Sequence, residues 1–227
     1  MTALWTLSDM AAAMRADTLG AWPEGIDGIS IDTRTLGKGD AFFAIQGDNR
    51  DGHDFVEGAF KAGAGVAVVA RNKRDRFAAD APLLLVDDVL EGLRDLARAA
   101  RARSQAKIIA VTGSVGKTGT KEALRLALSA EAETHASAAS YNNHWGVPLS
   151  LARCPVSAQY AVFEIGMNHA GEITPLTKLV RPHVAIVTTV APVHLEFFGS
   201  LEKIADAKAE IFLGIEPGGA AVLNCDN

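Results

Sequence analysis

Cysteine is nearly missing from this chain of 227 residues: there are two, Cys154 and Cys225, far apart and without the spacing of metal ligands. That usage excludes a disulfide framework and reads most simply as two reduced, buried thiols in a cytoplasmic protein. Long apolar runs are missing too. None approaches the roughly 18 residues a membrane-spanning helix needs, so no membrane insertion is expected. Positive charge is not in excess, since 22 Lys and Arg stand against 27 Asp and Glu for a net charge of -5. A phosphate backbone calls for a basic surface, so nucleic acid is not expected as the main partner. No basic residue precedes Arg15, which reads against a secretion signal. Neither an internal repeat nor a low-complexity tract interrupts the chain.

What is present is ordinary globular composition, 48% hydrophobic and 22% charged, in a length that suits one large domain or two modest ones. Up to about residue 84, short strand-like runs (Ile29–Asp32, Ala41–Ile45, Val66–Ala70, Leu83–Val86) alternate with helical runs at about Ser8–Arg15, with Ser8 as N-cap, and Asp54–Ala62. This predicts a small α/β unit over 1–84. A helix from about Val89 to Arg103 leads into a second unit over 85–227. There, strands at 107–112, 160–164, 183–189 and 220–224 alternate with helices at 118–130, 172–179 and 201–214. Apolar strands separated by helices predict an α/β fold with a mostly parallel sheet covered on both faces. A doubly wound domain seldom stops directly after a strand, so the end at Asn227 suggests a fragment of a longer protein.

The most informative segment is Val111-Thr112-Gly113-Ser114-Val115-Gly116-Lys117-Thr118-Gly119-Thr120. It lies between a short buried strand and a helix whose Ala123, Leu124, Ala127 and Leu128 share one face. A glycine-rich turn there aims backbone N–H groups at one spot, at the positive end of a helix dipole. Lys117 can bridge terminal phosphates and the Thr118 hydroxyl can sit on magnesium, which makes Gly113–Gly119 a triphosphate cradle. One departure is visible: the strict pattern has glycine six residues before the lysine, where this chain has Val111.

Other polar residues fall at the carboxyl ends of the predicted strands, where open α/β sheets collect ligands. Asn142-Asn143-His144 lie in a loop before Val147, Glu164 ends the strand Tyr160–Phe163, and His194 follows Val184–Thr189. Glu164 would be expensive to bury alone. It is read as a magnesium ligand or a group polarising one, or else as a carboxylate paired with a lysine or helix terminus. His194 is a ligand, a phosphate contact or a packing residue. Asn168-His169-Ala170-Gly171 can simply turn into the helix at Glu172, and His53 and His135 read as surface or structural. Lys208 shares an apolar helix stripe with Ile204 and Ile211. Desolvation there lowers a lysine pKa, but spacing alone favours a snorkelling lysine paired with Asp206 or Glu210.

Taken together, these segments resemble the Mur ligase family. The carriers are Thr112–Thr118, the Ser140–Leu149 segment with its Asn-Asn and Gly-Val-Pro, Phe163–Ile173, His194–Ser200 and Ala207–Phe212, in family order. In the first unit they are Asp32–Arg34, Gly39–Gly47 and Asp51–Phe55. The resemblance implies a UDP-sugar substrate-binding domain followed by part of a P-loop-type ATPase domain. It implies an ATP- and magnesium-dependent amide-bond ligase of peptidoglycan precursor synthesis, from the branch that adds D-alanyl-D-alanine to UDP-N-acetylmuramoyl-tripeptide through an acyl phosphate. By position, Lys117, Lys208 and His194 would be catalytic. Thr118, Glu164, His194 and a carbamylated Lys208 would serve magnesium, and Gly113, Ser114, Val115, Gly116, Lys117, Thr118 and Gly119 would bind ATP. Thr33, Asp48 and Asn49 would lie near the uridine diphosphate, Asn142 and Asn143 near the muramoyl or diphosphate part. Gly119 stands where the family usually has Thr or Ser, and Thr188-Thr189 replaces an Asn-rich pair. A monomer is expected, inactive as a ligase by itself. A non-catalytic UDP-sugar or nucleotide module and the diamino-acid-adding ligase are the alternatives.

Overall fold

The structure, a computed structural model, describes residues 3–138, 141–193 and 195–227, with Leu195 and Glu196 described by backbone alone. The chain divides into two compact units, Met1–Ala99 and Ala100–Asn227. An end to the first unit at residue 84 would cut the strand Leu83–Val86.

In the first unit the chain runs β1 (Trp5–Thr6), α1 (Leu7–Met14), β2 (Asp17–Leu19), β3 (Gly25–Ile26), β4 (Ile29–Ser30), β5 (Ala41–Phe43), α2 (Val56–Ala62), β6 (Val66–Ala70), β7 (Leu83–Val86) and α3 (Val89–Arg103), whose last residues belong to the second unit. The main sheet has the order β2-β7-β6-β5-β4 and is parallel except at β2, which pairs antiparallel with β7. Its apolar strands form a core of Phe42, Ala44, Ala67, Val69, Leu83 and Leu85, with Val56 and Ala59 of α2 packed on them. The helical cap differs from the sequence expectation. Thr6, not Ser8, is the N-cap of α1, its Oγ1 accepting from Asp9 N at 3.1 Å. The reason is that Leu7, Met10 and Met14 must all be buried, which sets the cap two residues earlier. Asp51 similarly accepts from His53 N and starts a 3-10 turn, Gly52–Phe55, where the spacing predicts the start of an α-helix.

The second unit continues with β8 (Lys107–Thr112), α4 (Lys117–Ser129), β9 (Thr134–Ala136), α5 (Gly146–Ala152), β10 (Tyr160–Glu164), α6 (Ile173–Val180), β11 (Val184–Val187), α7 (Leu195–Phe198), α8 (Leu201–Ala209) and β12 (Ala220–Leu223). The sheet order is β12-β11-β8-β10-β9 and every pairing is parallel. Register decides the site: Val111 lies opposite Glu164, and Thr112 opposite Val187. The carboxyl ends of the three central strands therefore finish at one level, and the loops that follow leave from one rim.

Two elements carry no sequence periodicity. All seven residues of α5 are buried, so no polar face marks it; its Pro148 sits in the first turn, where a missing N–H costs nothing. β9 is a three-residue edge strand. The single helix predicted over 201–214 ends at Ala209 and tightens into a 3-10 turn, Glu210–Gly214, because Thr177 Oγ1 donates to Ile211 O at 2.7 Å. The predicted apolar face of α4 is not its buried face. Ala123 and Ala127 are exposed, Leu124 and Leu128 half-buried, and the buried residue is Lys121. Spacing identifies a stripe but not what packs on it. Cys154 is buried, which pushes its thiol up to about 11. Cys225 is exposed, against expectation, because it follows the fully exposed strand β12. Among the described residues no helix is long and apolar enough to cross a membrane.

Candidate active site

β8 runs through the middle of its sheet with Val111 and Thr112 fully buried, so the chain must turn sharply as it leaves. Gly113 has φ +151° and Gly116 φ +84°, backbone that L side chains rarely adopt. A Cβ on Gly113 would lie 1.9 Å from Thr188 Oγ1, so the loop is wedged against the exit of β11. Four hydrogen bonds hold it there. Ser114 N donates to Thr189 O at 2.7 Å. The Ser114 hydroxyl donates to Ala191 O at 3.0 Å and accepts from Ala191 N at 2.9 Å, and Thr188 Oγ1 donates to Val115 O at 2.6 Å. Gly116 is the N-cap of α4 and supplies no side-chain acceptor. The first-turn N–H groups of a 13-residue helix therefore stand open to an anion at the positive end of its dipole.

Lys117 is half-buried and folds back over the loop, Nζ donating to Gly113 O at 2.8 Å and Ser114 O at 3.4 Å. Thr118 Oγ1 donates to Glu164 Oε2 at 2.9 Å, and Asn142 Nδ2 donates to Glu164 Oε1 at 2.8 Å. Glu164 is only 1% exposed, and among the described residues no cation pairs with it. A buried carboxylate with neutral donors alone is a costly arrangement, and hard oxygens from a threonine and a glutamate suit a divalent magnesium ion. Among the described residues Glu164 pairs with no lysine; its contact is to Thr118 in the first turn of α4. The described residues hold no group of three or more His, Cys, Asp and Glu arranged for a metal. His194, expected at this rim, lies outside the described residues.

Gly119 is exposed, and a Cβ there would meet nothing within 4 Å; its departure from Thr or Ser leaves open space. Asn143 does structural work: its Oδ1 accepts from Trp145 N at 3.1 Å and Gly146 N at 2.8 Å, fixing the start of α5. His169 faces Glu172 on an exposed turn, as the sequence suggests.

Lys208 is 4% exposed, on α8 between the fully buried Ile204 and Ile211. Burial, reinforced by the positive charge of Lys117, brings its amine down to about 8. The snorkelling pair expected from spacing is not formed. Asp206 is exposed on another face, and the Glu210 carboxylate is taken by Gly171 N, Thr174 N and Thr174 Oγ1.

In the first unit the loop after β4, the hairpin after β5 and the 3-10 turn Arg71–Arg76 after β6 all leave from the carboxyl ends of parallel strands. Thr33 is half-buried beside Asp32, whose carboxyl is held at about 2 by the Arg34 guanidinium. Asp48 and Asn49 are exposed at a hairpin tip closed by Gln46 and Asp51. Behind the tip, burial alone would raise Asp51, but Lys73 and His53 hold its carboxyl below the usual range. His53 is buried: Nε2 accepts from Ala70 N at 2.9 Å, so Nδ1 carries the proton shared with Asp51 at 2.6 Å. Its role is structural and not one of the surface. His135 also bonds internally, its Nε2 lying 2.8 Å from Ser150 O. Motif and spacing do not single out Lys121 and Ser137, which sit behind Glu164. A lysine one helical turn beyond Thr118, within an apolar pattern, is the signal that could have found the first.

The profile of the Mur ligase middle domain matches residues 111–227, and that of the Mur ligase family catalytic domain matches residues 25–101. The UDP-N-acetylmuramoyl-tripeptide--D-alanyl-D-alanine ligase of Escherichia coli (strain K12) is 40% identical over 222 residues, covering 98% of this chain and 48% of that protein. The ligase of the same name from Rickettsia prowazekii is 40% identical over 203 residues, covering 88% and 44%. A crystal structure of MurF from Acinetobacter baumannii superposes with a TM-score of 0.81 at 37% identity, over 96% of this chain and 48% of that one. MurF ligase from Thermotoga maritima, solved in complex with ADP, gives 0.73 at 30% identity, over 88% and 46%. The chain thus spans about half the length of the curated relatives it matches.

Proposed function

We propose, on the premise that this chain belongs to the Mur ligase family, that it supplies the UDP-linked substrate site and the phosphate-binding half of an ATP-dependent amide-bond ligase. The substrates are UDP-N-acetylmuramoyl-tripeptide and D-alanyl-D-alanine. The observation that carries the reading is Glu164, buried between Thr118 and Asn142 at the mouth of the open phosphate loop.

In the reaction a carboxylate oxygen of the tripeptide forms a bond to the γ-phosphorus of ATP, and ADP leaves. The amine of D-alanyl-D-alanine then forms the amide bond at the acyl carbon, expelling phosphate and releasing a proton. Two anions must meet in the first step, so the site has to neutralise charge. Magnesium, held by the Thr118 hydroxyl and the Glu164 carboxylate, would offset the phosphate charge. The Gly113–Gly119 backbone orients the triphosphate, Lys117 donates to its terminal oxygens, and the Thr118 hydroxyl and Glu164 carboxylate provide oxygen ligands. Asn142 keeps Glu164 turned toward that point. Thr33, Asp48 and Asn49 bind the uridine diphosphate from the first unit's rim.

Calorimetric titration of this chain with UDP-N-acetylmuramoyl-tripeptide and, separately, with ATP and magnesium is expected to show that both bind. Asn49→Ala should weaken the first about 10-fold, the effect of one or two lost hydrogen bonds, and leave the second unchanged. ATP binding with no response to the UDP-linked ligand would point to a nucleotide-binding module instead.

Lys208 belongs to the same reading. Its neutral amine can attack carbon dioxide, forming an N–C bond and losing a proton to give a carbamate, an anion that would serve as a magnesium ligand. The free amine imposes a burial penalty on the fold that is fully present below about pH 8. The penalty is relieved as pH rises toward the unfolded value, because there only the unfolded chain still holds the proton. In buffer free of carbon dioxide, Lys208→Met should therefore exceed the parent stability by roughly 2 kcal/mol at pH 7. The gap should close by about pH 10.5, the ordinary value for lysine. With carbon-13 bicarbonate at pH 8.5, an NMR carbamate resonance is expected in the parent and absent from Lys208→Met. No resonance, or a pH-independent gap, contradicts the assignment.

A further inference from the structure

Lys121 is the buried residue of α4, with no exposed surface. A leucine would fill that space without desolvating an ammonium, and stability alone would favour it. The ammonium meets specific partners. Nζ donates to Ser137 O at 2.8 Å and lies 3.0 Å from the half-exposed carboxylate of Glu122. Ser137 follows directly on β9, one residue past the last ladder pair, Ala136 with Val162. It is itself buried, its N–H donates to Val162 O at 3.1 Å, and its hydroxyl accepts from Glu164 N at 3.4 Å.

These contacts close a ring. Lys121 holds Ser137, Ser137 meets the backbone of Glu164, the Glu164 carboxylate meets Thr118, and Thr118 lies one helical turn before Lys121 on the same face of α4. A branch runs through the following loop, where Asn142 Nδ2 donates to Glu164 and Asn142 O accepts from Gly166 N at 2.8 Å. Every bond in the ring bears on where Glu164 points relative to the phosphate loop. Among the described residues the carbonyl of Ser137 has no strand partner past the ladder's end, and a charged donor is the strong way to hold it.

We propose that Lys121 is a positioning residue for Glu164. By pinning Ser137 to the phosphate-loop helix, it presets the carboxylate and the Asn142 loop for the magnesium-bound nucleotide. This rests on the reading of Glu164 as a magnesium ligand, so the test separates the two.

Amide hydrogen exchange by NMR in the ligand-free chain reads the positioning directly. In Lys121→Met, exchange at Glu164 and Gly166 should speed up at least 10-fold, while Ala110 on β8 and Ala185 on β11 stay unchanged. Lys121→Arg, which keeps a charged donor, should restore most of the protection. Ser137→Ala, which keeps the carbonyl but loses the hydroxyl, should affect Glu164 alone. Calorimetry with ATP supplies the second reading. The magnesium concentration for half-maximal binding should rise about 10-fold in Lys121→Met, with affinity in EDTA unchanged, and Glu164→Gln combined with Lys121→Met should be no worse than Glu164→Gln alone. Unchanged exchange at Glu164 and Gly166, or acceleration shared across β8, β10 and β11, overturns the proposal. Should ATP binding to the parent chain prove indifferent to magnesium, the role of Glu164 as a ligand falls, and the exchange pattern alone decides the role of Lys121.

Discussion

Gly113→Ala is expected to lower ATP affinity at least 100-fold and to reduce the thermal midpoint of the second unit by roughly 10 °C. Two costs combine. At φ +151° an alanine is strained by about 1–3 kcal/mol. Its methyl group would also fall 1.9 Å from Thr188 Oγ1 and 3.2 Å from Thr189 N. The threonine hydroxyl must rotate away, which gives up its bond to Val115 O and about another 1 kcal/mol. The loop can escape only by leaving the β11 exit, and the N–H groups that define the phosphate cradle move with it. Scanning fluorimetry and ATP calorimetry check both effects. Adding Thr188→Ala should recover part of the stability, because it removes the collision but not the backbone strain. Parent-like ATP affinity in Gly113→Ala would show that the wedged geometry does not matter.

Lys117→Ala should separate binding from stability. The ammonium reaches only the carbonyls of Gly113 and Ser114 from a half-buried position where water can replace it, so the thermal midpoint should change little. Against a triphosphate the same group makes charge-assisted hydrogen bonds worth about 3 kcal/mol, which corresponds to roughly a 100-fold loss of ATP affinity. AMP, which lacks the terminal phosphates, should bind the parent and the variant equally. Lys117→Arg should not rescue, because a planar fork on a longer reach cannot occupy the space of a compact ammonium folded over the loop. Equal ATP affinity in parent and Lys117→Ala would remove this lysine from the phosphate site.

Much of the second unit is legible in the order of its residues. β8, the glycine-rich turn and α4 each announce themselves by composition: an apolar β-branched run, two glycines at obligatory turn positions and a helix-forming segment. The rim placement of Asn142 and Glu164 also follows, because polar residues at the ends of apolar strands have few other places to go. Boundaries slip where a tertiary bond intervenes. Thr177 claims Ile211 O and breaks the predicted helix over 201–214. α5 escapes notice because complete burial erases the polar half of its pattern.

The candidate site residues divide in the same way. Lys117 and Thr118 are readable because a contiguous loop builds its own chemistry: the spacing of glycine, lysine and threonine along the chain is also their spacing in space. Lys208 is marked only by the family resemblance, not by its spacing, and Lys121 is not marked at all. On a linear sequence each is a lysine on a partly apolar helix, for which an exposed head is the ordinary outcome. Burial and partners decide their character, and those come from strands far away in the chain.

What the amino-acid order determined by itself was the two α/β units, the glycine-rich loop and the family resemblance, since all three depend on local periodicity and contiguous motifs. Only the tertiary structure decided that Thr188 wedges the loop, that Glu210 is lost to α6 and leaves Lys208 desolvated, and that Lys121 backs Glu164 through Ser137. The physical reason is parallel strand register: it brings Val111, Glu164 and Val187 to one rim, and no periodicity along the chain encodes which strands become neighbours.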